Sequence, residues 1–271
     1  MQELEKFLSS VKAKSPLTLS ITNQVTINEC ANGILAVGGS PVMSDDPDDA
    51  AELSTLAAAT VINIGTTNKY KLAVMLAAAK GAKTAGHPIV LDPVGVGATK
   101  VRRETALRLI YHQRPDIVRG NFAEIKALAG LTSKHKGVDS IENEDIKSMV
   151  EVAQTLTGQL KSIVAVNGAT DVVVDVGKFF CIKGGTPLMT RLTGTGCMLS
   201  AIVGAYAGAN SEDLFLSVVS ALVHMSLAGE RALKELESDR LGLFRVKLFD
   251  HLALITGNDF AGYQGVTQNE F

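Results

Sequence analysis

The sequence predicts an α/β fold of three layers, a central and mostly parallel sheet with helices on both faces. Three observations lead there. Short aliphatic and β-branched runs alternate with longer helical stretches along most of the 271 residues, the order expected when crossover helices join parallel strands. The runs themselves, LTLSIT and PIVLD among them, are nearly continuous in apolar residues, as strands covered on both faces must be. Hydrophobic residues make up 46% and charged residues 20%, enough apolar surface for a large core and too much for a disordered chain.

The elements follow in order. Residues 17–22 read as the first strand. Asp46-Pro47-Asp48-Asp49 opens a helix, with Asp46 as cap, proline at the first helical position and acids over the positive end of the dipole. Residues 61–65, 88–92 and 116–119 read as further strands, with helices over Lys69–Ala85 and 102–112 between them. A strand over 162–166 is followed by 171–176 and 178–182, whose short connection suggests a local antiparallel pair. The last third is mostly helical. No repeat, linker or low-complexity tract interrupts the chain, so residues 1–271 are expected to form a single domain.

Composition narrows the partners. Lys and Arg number 26 against 28 Asp and Glu, a formal charge of −2, which excludes the concentrated basic surface of a nucleic-acid binder. Cys30, Cys181 and Cys197 form no C-x-x-C pair and no even-numbered framework, so neither structural zinc nor a disulfide scaffold is expected and a cytoplasmic, reducing setting fits. The N-terminus is mixed in charge and lacks the apolar run of a signal peptide. Residues 192–211 and 214–229 carry no charge. The first opens Leu-Thr-Gly-Thr-Gly and the second is short for a span, so both read as buried helices and not membrane segments.

Ligands of an open α/β sheet bind beyond the carboxyl ends of its strands, and four clusters fall there. They are Asp92-Pro93-Val94-Gly95-Val96-Gly97, Arg119-Gly120-Asn121 with Glu124, Asn167-Gly168-Ala169-Thr170-Asp171, and Thr193-Gly194-Thr195-Gly196-Cys197. The glycines after Asp92 satisfy neither the dinucleotide fingerprint nor the P-loop spacing. Asn121-x-x-Glu124 is also the pattern of a plain helix cap. In the last cluster Gly194 and Gly196 let backbone N–H groups converge where an apolar helix begins, a construction suited to the charge of a transferring phosphoryl group. Cys197 at that helix end is expected to have a lowered pKa and to act as base or nucleophile; a small buried thiol packed at a helix start is the competing reading. His87, His112, His135 and His224 show no metal-ligand spacing, and His224 in an apolar helix reads as a satisfied core residue. The run Lys134–Lys136 reads as a solvated loop.

With these clusters in one order, the chain resembles the hydroxyethylthiazole kinase family of the ribokinase-like superfamily. The resemblance extends through Ile21-Thr22-Asn23-Gln24-Val25-Thr26, Gly38-Gly39-Ser40-Pro41-Val42-Met43 and Asn63-Ile64-Gly65-Thr66 to Thr193-Gly194-Thr195-Gly196-Cys197-Met198-Leu199. A cysteine where most ribokinase-like enzymes place Asp makes it specific. The resemblance implies a ribokinase-like fold and ATP-dependent phosphorylation of the hydroxyl of 4-methyl-5-(2-hydroxyethyl)thiazole with Mg²⁺, in thiamine salvage. It implies thiazole contacts from Met43, Gly194, Asn23, Gly65 and Thr66. It implies ATP contacts from Arg119, Asn167 and Asn121, acidic positions for Mg²⁺ at Asp92 and Glu124, and catalytic roles for Gly194, Thr195, Gly196 and Cys197. Asn167 departs from the Thr or Ser more usual at its position, though an amide still donates and accepts. A homotrimer with the thiazole pocket between subunits is implied as well. Two other readings compete: a kinase of a pyrimidine alcohol or a sugar on the same fold, and a non-catalytic nucleotide-binding regulator.

Overall fold

In the computed structural model, residues 4–132 and 145–270 are described. His135 and the Lys134–Lys136 run lie outside them, as do the first three residues of the N-terminus. The strands are β1 Leu17–Ile21, β2 Ser40–Val42, β3 Ala59–Asn63, β4 Ile89–Asp92, β5 Ile117–Asn121, β6 Ile163–Asn167, β7 Thr170–Asp175, β8 Lys178–Lys183 and β9 Val266–Glu270. Among the described residues they form one sheet in the order β2-β1-β3-β4-β5-β6-β7-β8-β9. Pairing is parallel from β2 through β6 and antiparallel from β6 to β9. The expected local antiparallel pair is thus β7–β8, and the C-terminal residues that carried no assignment supply β9 at the sheet edge.

Helices cover both faces. On one lie α1 Glu5–Lys14, α2 Ile27–Ala36, α8 Thr195–Ala209, α9 Leu214–Lys234, α10 Leu241–Leu254 and α11 Gly257–Ala261; on the other lie α3 Pro47–Leu56, α4 Lys69–Ala85, α5 Lys100–Gln113, α6 Phe122–Thr132 and α7 Ile146–Leu160. The period-2 pleat sends alternate side chains to opposite cores: Val61, Val90 and Ile117 join the core shared with α8 and α9, whereas Ile62, Leu91 and Val118 join the core shared with α4 to α7. Each such fully buried side chain contributes roughly 1.5–3 kcal/mol of transfer free energy, which is why both residues of every pair must be apolar. Asp46 caps α3 as expected, its Oδ1 accepting from the N–H groups of Asp48 and Asp49 at 2.9 and 3.1 Å.

Three local results refine the sequence reading. The strand expected at 61–65 ends at Asn63, because the Asn63 side chain accepts the Gly65 N–H at 2.9 Å and turns the chain out of the sheet. The strand expected at 116–119 starts one residue later and continues to Asn121, since Asp116 is spent on the Ile89 N–H and Lys83. Among the described residues, α9 has the length and hydropathy of a membrane span, yet 78% of that stretch is buried inside the protein. His224 on α9 is a core residue: the Tyr206 hydroxyl lies 2.7 Å from Nδ1 and the Leu252 carbonyl 2.9 Å from Nε2. Burial lowers its pKa to about 3, so it stays neutral.

Candidate active site

Chain order places the site. From β1 the chain crosses through α2 to β2 at the edge, then returns through α3 to β3 on the other side of β1. Beyond the carboxyl ends of β1 and β3 the two crossovers diverge and leave a crevice, the usual place for a ligand in a doubly wound sheet. Asn23 follows β1, Asn63 ends β3, Asp92 ends the adjacent β4, and Arg119 lies near the end of β5.

Asp92 is fully buried. Its Oδ2 accepts from Asn63 Nδ2 and from the Ser200 hydroxyl, both at 2.8 Å, with Arg119 Nη1 3.9 Å away. Among the described residues its buried Oδ1 has no hydrogen-bond partner. Burial, reinforced by the negative charge of Glu124 and opposed by Arg119, pushes its pKa up to about 6. Glu124 fulfils the capping reading of its motif. It forms a reciprocal cap with Asn121, Oε2 accepting the Asn121 N–H at 2.9 Å while Asn121 Oδ1 accepts the Glu124 N–H at 2.8 Å. Its second oxygen accepts the Gly95 N–H at 2.8 Å and so pins the loop after Asp92. Gly95 has φ +64°, and a Cβ there would lie 2.7 Å from Arg102 Nη1.

Arg119 is buried and largely committed to the protein. Its Nε donates to Asn167 Oδ1 at 2.5 Å, and Nη1 donates to the Gly196 carbonyl at 2.9 Å. The first turn of α8 is therefore held against β5 and β6. Beyond Asn167, Asp171 Oδ1 accepts the Gly168 N–H at 3.0 Å and closes the turn between β6 and β7.

Gly194 caps α8 with φ +91°, and a Cβ there would lie 2.6 Å from Thr26 Cγ2, so only glycine brings this loop against the segment after β1. The Thr195 hydroxyl turns back to the Met189 carbonyl at 2.9 Å; it braces the loop. Cys197, half-buried in the first turn of α8, receives Asn23 Nδ2 at 3.2 Å from its sulfur. The expectation of a lowered thiol pKa is overturned. Burial first, and then the Asp92 charge, raise it, outweighing donors from Thr26, Asn63 and Asn23. Cys197 is a thiol at neutral pH.

The structure thus brings Asn23, Gly65, Asp92, Arg119, Asn121, Glu124, Asn167, Gly194, Gly196 and Cys197 to one end of the sheet. Thr66 joins them through its hydroxyl, which accepts the Gln24 N–H at 3.2 Å. Met43 stands apart, just past the edge strand β2, half-buried against the core on the α2 and α8 side. Sequence reasoning missed four participants. Asn63 and Ser200 hold Asp92; Arg102 ties the Val94 and Gly65 carbonyls together at 2.6 Å each; buried Lys71 holds the Thr22 carbonyl. Asn63 had a signal, a polar residue breaking the apolar run VINIG. The others sit in helices whose patterns carry no mark of the loops they reach.

Residues 8–258 match the model of the hydroxyethylthiazole kinase family. A hydroxyethylthiazole kinase from Clostridium beijerinckii is 39% identical over 259 residues, covering 94% of each chain. The solved structure of a hydroxyethylthiazole kinase from Pyrococcus horikoshii superposes with a TM-score of 0.90 at 36% identity over 100% of both chains. A ribokinase-like superfamily protein from Enterococcus faecalis aligns with a TM-score of 0.61 at 12% identity, over 94% of this chain and 96% of that one; at that distance the fold alone is shared.

Proposed function

Because the chain belongs to the hydroxyethylthiazole kinase family, we propose that it carries out the family's reaction in the crevice between β1 and β3. It is a kinase of hydroxyethylthiazole, with ATP as co-substrate. The observation that carries the placement is the joining of an acceptor side to a phosphate side: Asn23, Gly65 and Cys197 on one hand, Asp92, Glu124, Arg119 and the α8 N-terminus on the other, linked by hydrogen bonds of 2.8–3.2 Å through Asn63. The thiazole alcohol would lie against Asn23, Gly65, Thr66 and Gly194 with its hydroxyl toward Cys197. ATP would lie along Arg119, Asn121 and Asn167 with its terminal phosphate at the amides of Gly194, Thr195, Gly196 and Cys197.

The chemistry follows from what the side chains offer. The α8 N-terminus presents converging N–H groups and the positive end of a helix to the phosphoryl oxygens, and Arg119 holds that turn rigid. Phosphoryl transfer needs little deprotonation of the acceptor before bonding begins. A neutral Cys197 orients the acceptor hydroxyl, and the proton the alcohol releases late passes to an oxygen of the transferred phosphoryl group. Asp92 and Glu124 suit a Mg²⁺ ion: Asp92 has a buried oxygen without a partner, Glu124 keeps unused lone pairs, and Mg²⁺ asks for only one or two carboxylates beside water and phosphate. When bound, the ion neutralises charge on the bridging phosphates.

The same reading takes residues 1–271 as one kinase domain, supported by the continuous sheet, and a cytoplasmic setting, supported by three free thiols. It includes a homotrimer in which Met43, off the cluster of its own chain, lines the thiazole pocket of a neighbouring copy; exposed Val25 beside Asn23 and Tyr70 at the start of α4 offer apolar surface there. The test is ADP release with Mg²⁺ and with a chelator, using the thiazole alcohol against pyrimidine alcohols and sugars, with mass measured by light scattering. Preference for the thiazole alcohol, loss with chelator and a trimeric mass are expected. Preference for another acceptor, chelator-resistant turnover or a fully active monomer overturns the corresponding part.

A further inference from the structure

We infer that Asn63 is a positioning residue that locks the acceptor side and the phosphate side into one hydrogen-bonded unit, accepting from the Asn23 amide that reaches Cys197 while donating to Asp92. This rests on the reading that phosphoryl transfer takes place in the β1–β3 crevice. Asn63 is 1% exposed and sits at the divergence of the two crossovers.

Backbone groups determine which way both amides point. The Gly65 N–H can only donate, so the Asn63 end it meets at 2.9 Å must be the carbonyl oxygen. The opposite end is then NH₂, which donates to Asp92 Oδ2 at 2.8 Å. The N–H groups of Val25 and Thr26 meet Asn23 Oδ1 at 3.0 and 3.1 Å. Asn23 Nδ2 must therefore face the remaining acceptors, Asn63 Oδ1 at 3.2 Å and the Cys197 sulfur at 3.2 Å. Rotating either amide would set donor against donor at two contacts. From Asn23 through Asn63 to Asp92 the donors run in one direction and each bond polarises the next, while the same Asn23 NH₂ donates its other hydrogen to Cys197.

Packing leaves the pair little room to shift, since a Cβ on Gly65 would lie 3.0 Å from Asn63 Oδ1 and 3.0 Å from Asn23 Cβ. Ending β3 requires only a side-chain acceptor for the Gly65 N–H, which a shorter hydroxyl can also supply. Reaching Asp92 and Asn23 together requires an amide. The two roles are therefore separable by substitution.

Asn63→Ser keeps an acceptor for the turn and loses both bridging bonds. Asn63→Asp keeps the acceptor toward Gly65 and Asn23 and loses the donor toward Asp92. Each variant is compared with wild type in kcat and in KM for the thiazole alcohol and ATP, after thermal unfolding confirms the fold. The pH dependence of Cys197 alkylation by iodoacetamide is followed by peptide mass spectrometry; Asp92 and Cys30 are the other titratable groups acting on this thiol. A positioning role lowers kcat about 10- to 100-fold in both variants, leaves KM for ATP within about threefold, and raises the Cys197 titration midpoint in Asn63→Ser. Wild-type-like kcat in either folded variant, or an unmoved thiol titration in Asn63→Ser, overturns the inference. The alkylation measurement needs no turnover, so failure of the thiazole reading would show separately, as inactive wild type with the thiol shift intact.

Discussion

Replacing Asp92 by Asn keeps the size of the side chain and removes its charge, and it is expected to move stability and turnover in opposite directions. In the folded chain burial holds the carboxyl up at about 6, against 3.8 for an ordinary aspartate. Ionising it in place therefore costs the fold roughly 3 kcal/mol at neutral pH, at about 1.4 kcal/mol per pH unit. The sign follows from proton binding. Between pH 3.8 and about 6 the folded state holds the proton more tightly than the unfolded state, so the favourable contribution is complete below 3.8, declines through that window and is gone above it. In Asp92→Asn the amide oxygen still accepts from Asn63 and Ser200. Its NH₂ occupies the place of the unpartnered Oδ1, a buried donor left over at a cost of about 1–2 kcal/mol. The variant is thus expected to be about 1–2 kcal/mol more stable than wild type at pH 7.5 and no more stable at pH 4. Turnover is expected to fall at least about 10²-fold, the usual scale for removing a preorganised electrostatic group. Urea unfolding from pH 4 to 8 in EDTA, with ADP release measured in parallel, makes the comparison. A stability difference that does not change with pH, or near-wild-type turnover at limiting Mg²⁺, refutes the reasoning.

Cys197→Ser is expected to retain activity within about 10²-fold of wild type, because the α8 amides remain and the thiol is neutral to begin with; no detectable turnover, with phosphate trapped on the wild-type sulfur, would indicate covalent catalysis. Glu124→Gln can accept only one of the two N–H groups its carboxylate now holds, so a strong loss of turnover together with about 1 kcal/mol of destabilisation is expected in steady-state and denaturation assays; wild-type turnover would exclude a metal role. Gly194→Ala combines a positive φ with a contact at 2.6 Å from Thr26, and should raise KM for the thiazole alcohol and lower melting temperature, an expectation that unchanged kinetics would refute.

Much of this was legible from residue order alone. The apolar runs revealed the parallel strands because a doubly covered strand has no polar face to confuse the pattern, and Asp46-Pro47 marked a helix start through local hydrogen bonding. The site clusters were legible where a strand end is followed at once by Asp, Asn or Gly. What stayed hidden was long-range. The bonds of Ser200 to Asp92 and Lys71 to Thr22 join residues far apart in sequence, and nothing local to either helix encodes them. The three-residue β2 is too short for periodicity to register. The Cys197 pKa was misread for a related reason: a helix start is visible in sequence, but the enclosure that desolvates the sulfur exists only after folding.

The two helices that close the α8 and α9 side of the sheet impose a burden during synthesis. Both are buried around most of their circumference, so they lack the polar face that keeps an ordinary surface helix in solution while it waits for partners. They also come late in the chain, after β1 to β8 have emerged. Until they dock, the growing polypeptide carries an uncovered sheet face and two sticky rods, the setting in which chains associate with one another instead of folding. Recovery of this protein from denaturant should therefore depend steeply on chain concentration, and dilution or a holdase should help more than added ligand, since the crevice assembles only once α8 has settled.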